Sequence, residues 1–593
     1  MYRANDADIR LSSVRNLWMD LLLLAIFLVF LYFFVSLARH WISPLQTNTA
    51  IDLSISSLPK YSFYSLIRAL IAYSCSLLFT LIFGYFAAKN KTAEKVILPL
   101  LDIGQSIPVV GFLPGLVLGL ISIFPKNNLG LELACIIMIF TGQVWNMTFS
   151  YYASLKAVPT QFHELAKILN LGWAKKLKNI ELPYSFTNLV WNSLMSMAGG
   201  WFFLTICESF SLSERNFVLP GLGSYMKLAI DKQDTLAMWS GVTAMISVIV
   251  FFDFLFWRPI LAWSQKFRLE DAQDQTKNIP FVMLLLQDSN LVKWFIFKFD
   301  EFSVWRSASI FTFEYILPKG ASLKTSNRKA KVFFMRIAKL KRHLPDVVSS
   351  RLPQVLILAL LMFGMIYVYE LVRPLSVKQW KLIALGTLAT TLRVVASIVL
   401  ASIWAIPVGI WIGSSPKLTR FFQPIVQVAA SFPAPMLYPL VMLILSSLNI
   451  GFGFGSMFLM LLGVQWYVLF NVLAGASTIS LELRDTVNLM GLSRVSKWKK
   501  LYLPSVFPAT VTGWVTSAGG AWNASIVAEY FQYGGKTLST LGLGAMISKA
   551  TDTGDFAMLT GCLLVMCTTV IGFNRTVWHQ LYSIAENRFK YDR

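Results

Sequence analysis

Long runs of apolar residues recur along the whole chain, and they constrain its fold more than any other feature. A helix needs about 20 mostly apolar residues to cross the hydrocarbon layer of a membrane. The candidate spans lie at 18–38, 63–88, 96–123, 131–154, 186–209 and 237–260, and then at 354–372, 383–412, 422–448, 455–475, 506–528 and 556–580. We therefore expect an all-α polytopic membrane protein with about 12 transmembrane helices, in which prolines interrupt the third span of each half.

The composition narrows the class of protein further. Hydrophobic residues make up 56% of the 593 residues and charged residues only 14%, whereas about 25% of a soluble domain is charged. This composition excludes a soluble enzyme, a disordered chain and a collagen-like fibre. The excess of 52 Lys and Arg over 30 Asp and Glu is typical of the cytoplasmic loops of membrane proteins. Without a recognition module, this excess does not indicate nucleic-acid binding.

Basic residues mark one side of the membrane. They crowd the loops after the second, fourth and sixth spans of the first half, and the second half repeats this distribution after its second and fourth spans. Because Lys and Arg are enriched in cytoplasmic loops, both termini are predicted to lie in the cytoplasm. The loops at about 160–178 and 481–499 are then cytoplasmic as well.

The two halves are predicted to be copies of one domain. Pairs that match at a shift of 325 or 321 residues include Arg68 and Arg393, Pro108 and Pro433, Trp201 and Trp522, and Glu208 and Glu529. Because these residue types have specific backbone or site roles, their agreement at a nearly constant shift indicates an internal repeat. Equal numbers of spans in the same orientation predict parallel repeats, related by an axis along the membrane normal.

The repeat divides the chain into five segments. They are an N-terminal segment with the first span and an outer loop (1–60), repeat 1 (61–268), a basic cytoplasmic connector (269–352), a leading span of the second half (353–380) and repeat 2 (381–590). Within the connector, Lys329–Arg342 alternates cations with apolar residues. This pattern favours an interfacial amphipathic helix on anionic lipid headgroups, and a solvated basic linker is the alternative.

The cytoplasmic loop after the fourth span carries a pattern that recurs in both repeats, an acidic residue followed by a turn and then by Leu-Pro. Its members are Glu164, Leu165, Ala166, Asn170 and Gly172 in repeat 1, and Asp485, Thr486, Val487 and Gly491 in repeat 2. A short helix with small residues lets a partner approach closely, and Leu-Pro redirects the chain into the next span. Asn170 stands where repeat 2 has a glycine, and Asn tolerates a left-handed turn. An ordinary basic loop is the alternative, but two matched loops favour coupling to a partner.

These loops resemble the EAA loop of ABC importer permeases. The proline-rich third spans and the Trp-to-Glu stretches are similar to those of the nitrate/sulfonate/bicarbonate/taurine branch, and the resemblance covers about 60–268 and 380–590. It implies a fused double permease whose loops form coupling helices on two cytoplasmic ABC ATPase subunits, with a periplasmic substrate-binding protein on the other side. It also implies that ATP and Mg bind only to those partners and that the location is a bacterial inner membrane. The solute that it suggests is a small anion such as nitrate, bicarbonate or an organosulfonate, and vitamin precursors are the alternative.

Four matched pairs are candidates for the substrate pathway. They are Arg68 and Arg393, Pro108 and Pro433, Trp201 and Trp522, and Glu208 and Glu529. An ionisable residue near a membrane span is a functional hypothesis, and the two arginines would favour access of an anion. The alternatives are ion-paired or snorkelling residues for the charged pairs, and packing kinks without pathway contact for the prolines.

Other apparent motifs do not indicate a site. Gly534-Gly535-Lys536-Thr537 mimics the end of a P-loop, but Tyr530 stands where the first glycine is required, so we expect no ATP site in this chain. The four histidines are scattered and predict no metal site. Without a cluster of catalytic groups in the sequence, we expect a transport subunit rather than an enzyme. A secondary transporter with parallel repeats is the alternative function, although it requires ionisable residues at mid-membrane.

Overall fold

The computed structural model describes residues 28–45, 49–106, 108–212, 215–267 and 362–589, together with residues 21, 24 and 25. The connector at 269–352 and the N-terminal residues 1–20 lie outside these described residues, so their predicted roles stay predictions. Residues 28–267 and 375–589 belong to one compact unit, and residues 362–374 belong to another. Both repeats therefore lie within the first of these units.

The first half of the chain consists of helices and one hairpin. Its helices are α1 Leu28–Ile42, α2 Ile55–Lys89, α3 Lys91–Ser106, α4 Leu113–Ile123, α5 Leu129–Lys156, α6 Thr160–Ile168, α7 Trp173–Cys207, α8 Leu222–Asp231 and α9 Thr235–Ser264. Strands β1 Ser209–Leu212 and β2 Arg215–Val218 pair antiparallel between α7 and α8.

The second half has the same order of elements. Its helices are α10 Met362–Val372, α11 Val377–Gly413, α12 Pro416–Ser431, α13 Ala434–Ser447, α14 Phe452–Ser477, α15 Leu481–Leu489, α16 Leu503–Ala528, α17 Leu543–Thr553 and α18 Phe556–Ala585. Strands β3 Tyr530–Tyr533 and β4 Lys536–Ser539 pair antiparallel between α16 and α17. Each element thus has a counterpart in the other half, as the internal repeat predicts.

Each repeat is built around one central helix. In repeat 1, α5 packs between α2 and α7, and in repeat 2, α14 packs between α11 and α16. Helices α5 and α7 approach each other closely at Gly142 and Gly199. A Cβ at Gly199 would lie 3.0 Å from the carbonyl oxygen of Gly142, so glycine allows this close approach. Small residues at such contacts let helix backbones approach and pack by van der Waals contact in a membrane.

The third span of each half is broken at a proline, Pro108 in the first half and the matching Pro433 in the second. In repeat 2, Phe432 is extended (φ −73°, ψ 129°), and α12 and α13 meet at an angle of 83°. Proline disfavours the helical conformation of the residue before it, so the break lies at Pro433. In repeat 1, Pro108 and the 3₁₀ turn Val109–Phe112 separate α3 from α4. The two predicted third spans are therefore pairs of short helices rather than continuous helices.

The described residues contain seven helices that are long and apolar enough to cross a membrane, or eight if the bent pair α12–α13 counts as one span. These seven are α2, α5, α7, α9, α11, α14 and α18. Helix α16, with 26 residues, also has the length that a span requires. The structure confirms an all-α polytopic membrane protein, whereas the number 12 and the segment boundaries stay predictions.

Candidate functional site

The loop after α5 forms the short helix α6 and a tight turn. Asn170 has a left-handed backbone (φ 47°), and the N–H of Leu171 donates to the carbonyl of Ala166 at 2.9 Å. Such a turn satisfies carbonyls that the end of a helix leaves free. Ala166 is buried, whereas Glu164 and Leu165 are exposed, so the loop presents its acidic residue outwards.

The loop after α14 forms the same helix and turn in repeat 2. Gly491 has φ 65°, and its N–H donates to the carbonyl of Asn488 at 3.1 Å. Asp485 and Thr486 are exposed, and Val487 is half-buried. Because glycine adopts this backbone without steric cost and Asn tolerates it, the two loops reach one turn geometry with different residues.

Both loops then enter the next span through an extended residue. Gly172 (φ −60°, ψ 159°) and Ser493 (φ −61°, ψ 157°) occupy this position in the two repeats. A π-helical turn follows in each case, at Leu177–Glu181 and at Trp498–Tyr502. Since an extended backbone suits any residue, the conformation at position 172 does not require glycine.

Both turns expose large apolar side chains, which we call the apolar tips. They comprise Ile168 and Leu169 in repeat 1, and Leu489 and Met490 at the matching positions of repeat 2. Ile168 is 76% exposed and Leu489 is 89% exposed. Contiguous apolar residues on a polar surface mark interaction sites. The sequence pattern did not single out these four residues, because apolar residues are abundant throughout the chain.

Different polar contacts hold the two loops to their repeats. In repeat 1, the buried carboxylate of Glu181 lies 2.7 Å from the Nζ of Lys89, at the end of α2. In repeat 2, the guanidinium of Arg484 donates to the carbonyls of Ser414 at 2.5 Å and Ala476 at 2.8 Å. These carbonyls lie at the ends of α11 and α14, where helices leave carbonyls without intrahelical partners. Repeat 1 thus uses an ion pair and repeat 2 uses helix carbonyls.

His163 occupies the position in repeat 1 that Arg484 has in repeat 2. Burial lowers the pKa of the His163 imidazole, and the positive charges of Lys176 and Lys89 lower it further. Both effects disfavour the charged form of histidine, so His163 is neutral at pH 7. It therefore does not supply the cation with which repeat 2 holds its loop.

Arg68 lies in a fully buried ion-pair cluster. Its Nε and Nη2 donate to the two carboxylate oxygens of Glu132 at 2.6 and 2.7 Å. Its Nη1 donates to Glu208 at 2.8 Å and to the carbonyl of Pro220 at 2.9 Å. None of the three charged side chains has exposed area. The structure thus places Arg68 in the ion-paired arrangement that the sequence left open, and it adds Glu132, which the sequence pattern missed.

Arg393 has only part of this arrangement. Its Nη1 donates to Glu529 and to the carbonyl of Leu541, both at 2.8 Å. Its Nε donates to the carbonyl of Gly453 at 3.1 Å, and Gly453 stands where repeat 1 has Glu132. Arg393 therefore faces one carboxylate instead of two, and its side chain is 16% exposed.

Glu208 and Glu529 also join the fifth spans to two short Gly-Leu-Gly turns, at 221–223 in repeat 1 and at 542–544 in repeat 2. Glu208 accepts from the N–H of Gly223 at 2.7 Å, and Glu529 accepts from the N–H of Gly544 at 2.9 Å. A Cβ at Gly221 would lie 2.3 Å from the carboxylate of Glu208, so a side chain there would displace the acid. The charged candidates thus meet in one joint per repeat, between the second span, the fifth span and this turn.

The tryptophan and proline candidates are not among the residues that form these ion pairs. Trp201 is buried and packs against Phe252 with ring centroids 6.3 Å apart. Trp522 is also buried, and it lines an apolar cavity within repeat 2. Pro108 and Pro433 are buried at the breaks of the third spans.

The breaks of the third spans lie next to contacts between the two repeats. The N–H of Val109 donates to the Oδ1 of Asn523 at 3.0 Å. Elsewhere on this interface, the side-chain amide of Gln427 donates to the carboxylate of Asp253. Buried polar groups in a membrane protein require such partners, so these bonds fix how the repeats meet.

A cavity of about 200 Å³ lies between the repeats, beside the hairpin β3–β4 and the short helices α8 and α17. Its matched lining residues are Ile206 and Val527, Phe210 and Phe531, Ile230 and Thr551, and Asp231 and Asp552. Because matched residues line it from both sides, the cavity lies on the axis that relates the repeats. Lys227 lines it from repeat 1, where repeat 2 has Ser548. We call it the axial cavity.

The axial cavity combines one ammonium group with two carboxylates. Burial lowers the pKa of Lys227, and the charges of Asp231 and Asp552 oppose this effect. Burial raises the pKa of both aspartates, and Lys227 opposes that effect in turn. Desolvation disfavours every isolated charge here, so the opposite charges stabilise one another.

One of the motifs that the sequence rejected can be placed in the structure. Gly534 and Gly535, which mimic a P-loop, form the turn of the hairpin β3–β4 with φ 56° and 73°. In the part of the chain that the structure describes, no group of three or more His, Cys, Asp or Glu side chains could hold a metal ion.

Several known transport permeases are similar to this chain. A nitrate import permease of Leptolyngbya laminosa is 24% identical over 191 residues, which are 31% of this chain and 65% of the relative. The taurine transport system permease of Escherichia coli is 28% identical over 167 residues, 28% of this chain and 56% of the relative. A bicarbonate transport system permease of Synechocystis is 30% identical over 151 residues, 25% of this chain and 51% of the relative. The chain therefore spans less than two thirds of the length of the relatives that it matches.

A family model matches the chain in two places, residues 80–257 and 405–580. These two regions lie within the two repeats and together cover more than half of the chain. The matches confirm that the halves are two copies of one domain, as the paired residues and the order of helices indicate. The chain belongs to the family of binding-protein-dependent transport system inner membrane components, and it carries that domain twice.

Proposed function

We propose that this chain is the permease of an ATP-binding-cassette importer and provides both membrane halves of its pathway. In this proposal, two separate cytoplasmic ATPase subunits bind the loops that contain α6 and α15, and a periplasmic binding protein delivers the solute. ATP and Mg bind to the partner subunits only. The chain lies in a bacterial inner membrane with both termini in the cytoplasm.

The observation that carries the proposal is the matched pair of loops. Each combines a short helix, a left-handed turn and an exposed apolar tip, at Ile168 in repeat 1 and Leu489 in repeat 2. Burial of apolar surface is the main favourable contribution to most protein association, so these tips support docking of a partner. Two equivalent docking sites suit two ATPase subunits.

The mechanism follows from the way that each loop is attached. Glu181 ties the first loop to α2, and Arg484 ties the second loop to α11 and α14. Association of the ATPase subunits on ATP binding would draw the loops together and move these spans, opening the pathway outwards. Shifting such an equilibrium from 1:99 to 99:1 requires about 5.5 kcal/mol of differential binding. Hydrolysis would restore the inward-facing state.

We further propose that the solute is small and carries an anionic group. The names of the similar permeases, which refer to nitrate, taurine and bicarbonate, support this class. The axial cavity does not add to this support, because Lys227 already faces the carboxylates of Asp231 and Asp552 there. The solute would pass between the repeats at this cavity.

The decisive experiment reverses the charge of both loops. The double variant Glu164→Lys with Asp485→Lys should still insert in the membrane, because both side chains are exposed. In proteoliposomes with the ATPase subunits, the binding protein and ATP, it should lose uptake of taurine or nitrate and lose the stimulation of ATP hydrolysis by the binding protein. Asp52→Lys, at an exposed acid outside the loops and the spanning helices, serves as the matched control.

Two outcomes would contradict the proposal. Normal stimulation of hydrolysis in the double variant would show that the loops do not couple the subunits. Uptake that persists without ATP and is abolished by an uncoupler would favour the alternative, a secondary transporter.

A further inference from the structure

A second and larger cavity lies within repeat 2. It has a volume of about 510 Å³ and lies between α11, α16 and α18, which is the size range of pockets that bind organic molecules. Ile398, Ala518, Trp522 and Trp578 form its buried wall. We call it the lateral groove. It is independent of the axial cavity and of the loops that carry the proposed function.

Three polar side chains in the wall of the lateral groove are already hydrogen-bonded to the protein. Among its lining residues, the Nε1 of Trp514 donates to the Oγ of Ser402 at 2.8 Å, and the Ser402 hydroxyl donates to the carbonyl of Ile398 at 2.7 Å. The hydroxyl of Thr391 donates to the carbonyl of Thr387 at 2.7 Å. A cavity with such walls excludes water and accepts apolar ligands.

The same place is filled by large side chains in repeat 1. Tyr73, Met197 and Phe256 stand where repeat 2 has Ile398, Ala518 and Val577. Tyr73 and Met197 are buried, and the ring of Tyr73 contacts Phe256 with centroids 6.3 Å apart. At these three positions the side chains of repeat 2 are smaller than those of repeat 1. Three lining positions change in the other direction, since Ala69, Ser74 and Ser193 of repeat 1 are Val394, Val399 and Trp514 in repeat 2.

The groove opens towards the bilayer rather than towards water. Its rim includes Val399 and Ile403 on α11, which are 52% and 65% exposed, and Val577 on α18, which is 38% exposed. Both helices are apolar enough to cross a membrane, and an exposed side chain in the middle of such a helix faces lipid. The molecules that reach this rim in the membrane are phospholipids.

We infer that the lateral groove binds one acyl chain of a membrane phospholipid, inserted between α11, α16 and α18. The acyl chain takes the place of the side chains that fill this position in repeat 1. It packs against the indole faces of Trp522 and Trp578 and restores the close packing that protein interiors require. Repeat 2 thus carries a lipid site that repeat 1 replaces with its own residues.

The experiment uses the full chain in nanodiscs of a phospholipid with a diazirine near the end of one acyl chain. After irradiation and digestion, peptides that contain Trp514, Trp522 or Trp578 should carry more label than peptides of the lipid-facing surface around Leu388, which is 59% exposed. The variant Ile398→Tyr with Ala518→Met fills the groove with the residues of repeat 1. It should reduce the groove labelling to the level of the surface peptides.

Controls separate loss of the site from loss of folding. Ala518→Met alone is a smaller change and should also lower the groove labelling, while Leu388→Tyr should leave it unchanged. Thermal unfolding in detergent checks that each variant is folded.

Groove labelling that the filling substitutions do not change would overturn the inference. Labelling of the groove that never exceeds that of the surface would do the same. A disulfide that forms readily between Ala518→Cys and Phe363→Cys would show that residues of α10 occupy the groove instead of lipid.

Discussion

The matched arginines Arg68 and Arg393 give the clearest comparison between the repeats. Arg68 is enclosed by the carboxylates of Glu132 and Glu208, whereas Arg393 pairs with Glu529 and a backbone carbonyl of Gly453. Each arginine nevertheless binds the acid that ends the fifth span. The ion pair between the second and fifth spans is therefore common to both repeats, whereas the second carboxylate, Glu132, is present in repeat 1 alone.

The additional carboxylate of repeat 1 lies next to the leading helix α1. His40 of α1 has its Nε2 3.9 Å from Glu132, and the side chain of Asn128 donates to the Ser43 hydroxyl at 2.9 Å. The backbone N–H of Asn128 donates to the carbonyl of Ser43 as well, at 3.2 Å. These contacts connect α1 to the start of α5, so Glu132 lies where a neighbouring element joins the repeat.

The largest expected effect comes from removing each arginine in turn. Arg68→Gln leaves two buried carboxylates without their cation and should cost about 3–5 kcal/mol of stability, as loss of one partner in a buried ion pair does. Arg393→Gln leaves one carboxylate, which still accepts from Thr390 and Gly544, and should cost about 1–3 kcal/mol. Thermal unfolding in detergent measures both. Equal destabilisation by the two substitutions would contradict this prediction, because it would mean that the second carboxylate beside Arg68 does not affect stability.

A smaller effect is expected from changing the number of carboxylates that face each arginine, by substitution at position 132 in repeat 1 or at the matching position 453 in repeat 2. Glu132→Gln keeps an oxygen acceptor for Arg68 but removes one charge, and it should cost about 1–2 kcal/mol. Gly453→Glu supplies the second carboxylate to repeat 2, where a Cβ would lie 3.3 Å from the Thr540 hydroxyl and 3.8 Å from the Nη2 of Arg393. This substitution should leave the unfolding temperature almost unchanged. Strong destabilisation by Gly453→Glu would mean that the site of repeat 2 cannot hold a second acid.

The smallest effect concerns the turns of the two loops. Gly491→Ala and Asn170→Ala should each cost about 1 kcal/mol locally, because alanine lacks the tolerance of glycine and Asn for a left-handed backbone. Asn170→Gly should cost nothing. Hydrogen exchange of the turn amides, which reports local opening, measures these changes. Faster exchange in Asn170→Gly than in the unaltered chain would contradict this prediction.

Sequence patterns predicted the architecture because the helices and their breaks are determined by residues that are close together in the sequence. Apolar runs locate the helices, and the prolines locate the breaks of the third spans, since Pro433 acts on the residue before it. The left-handed turns were predictable for the same reason. Asn170 and Gly491 are residues that adopt positive φ, and they stand at one position of the repeat.

The sequence patterns did not identify several important residues, because the roles of these residues depend on the folded structure and not on their neighbours in the sequence. Glu132 has no counterpart in repeat 2, so the search for matched pairs passed over it. Ile168 and Leu489 are matched, but only the fold reveals that they are exposed in a chain that is 56% hydrophobic. The lateral groove likewise arises from changes in side-chain size at several positions on three helices, and no single position indicates it.

The central claim is that partner ATPase subunits drive this chain through the two loops. It is tested most directly by the ATP hydrolysis of the complete transporter in proteoliposomes, with Ile168→Asp and Leu489→Asp introduced together at the exposed apolar tips. The account predicts that the binding protein no longer stimulates hydrolysis and that the ATPase subunits no longer purify with the chain. Full stimulation of hydrolysis by a chain with both substitutions would contradict the account.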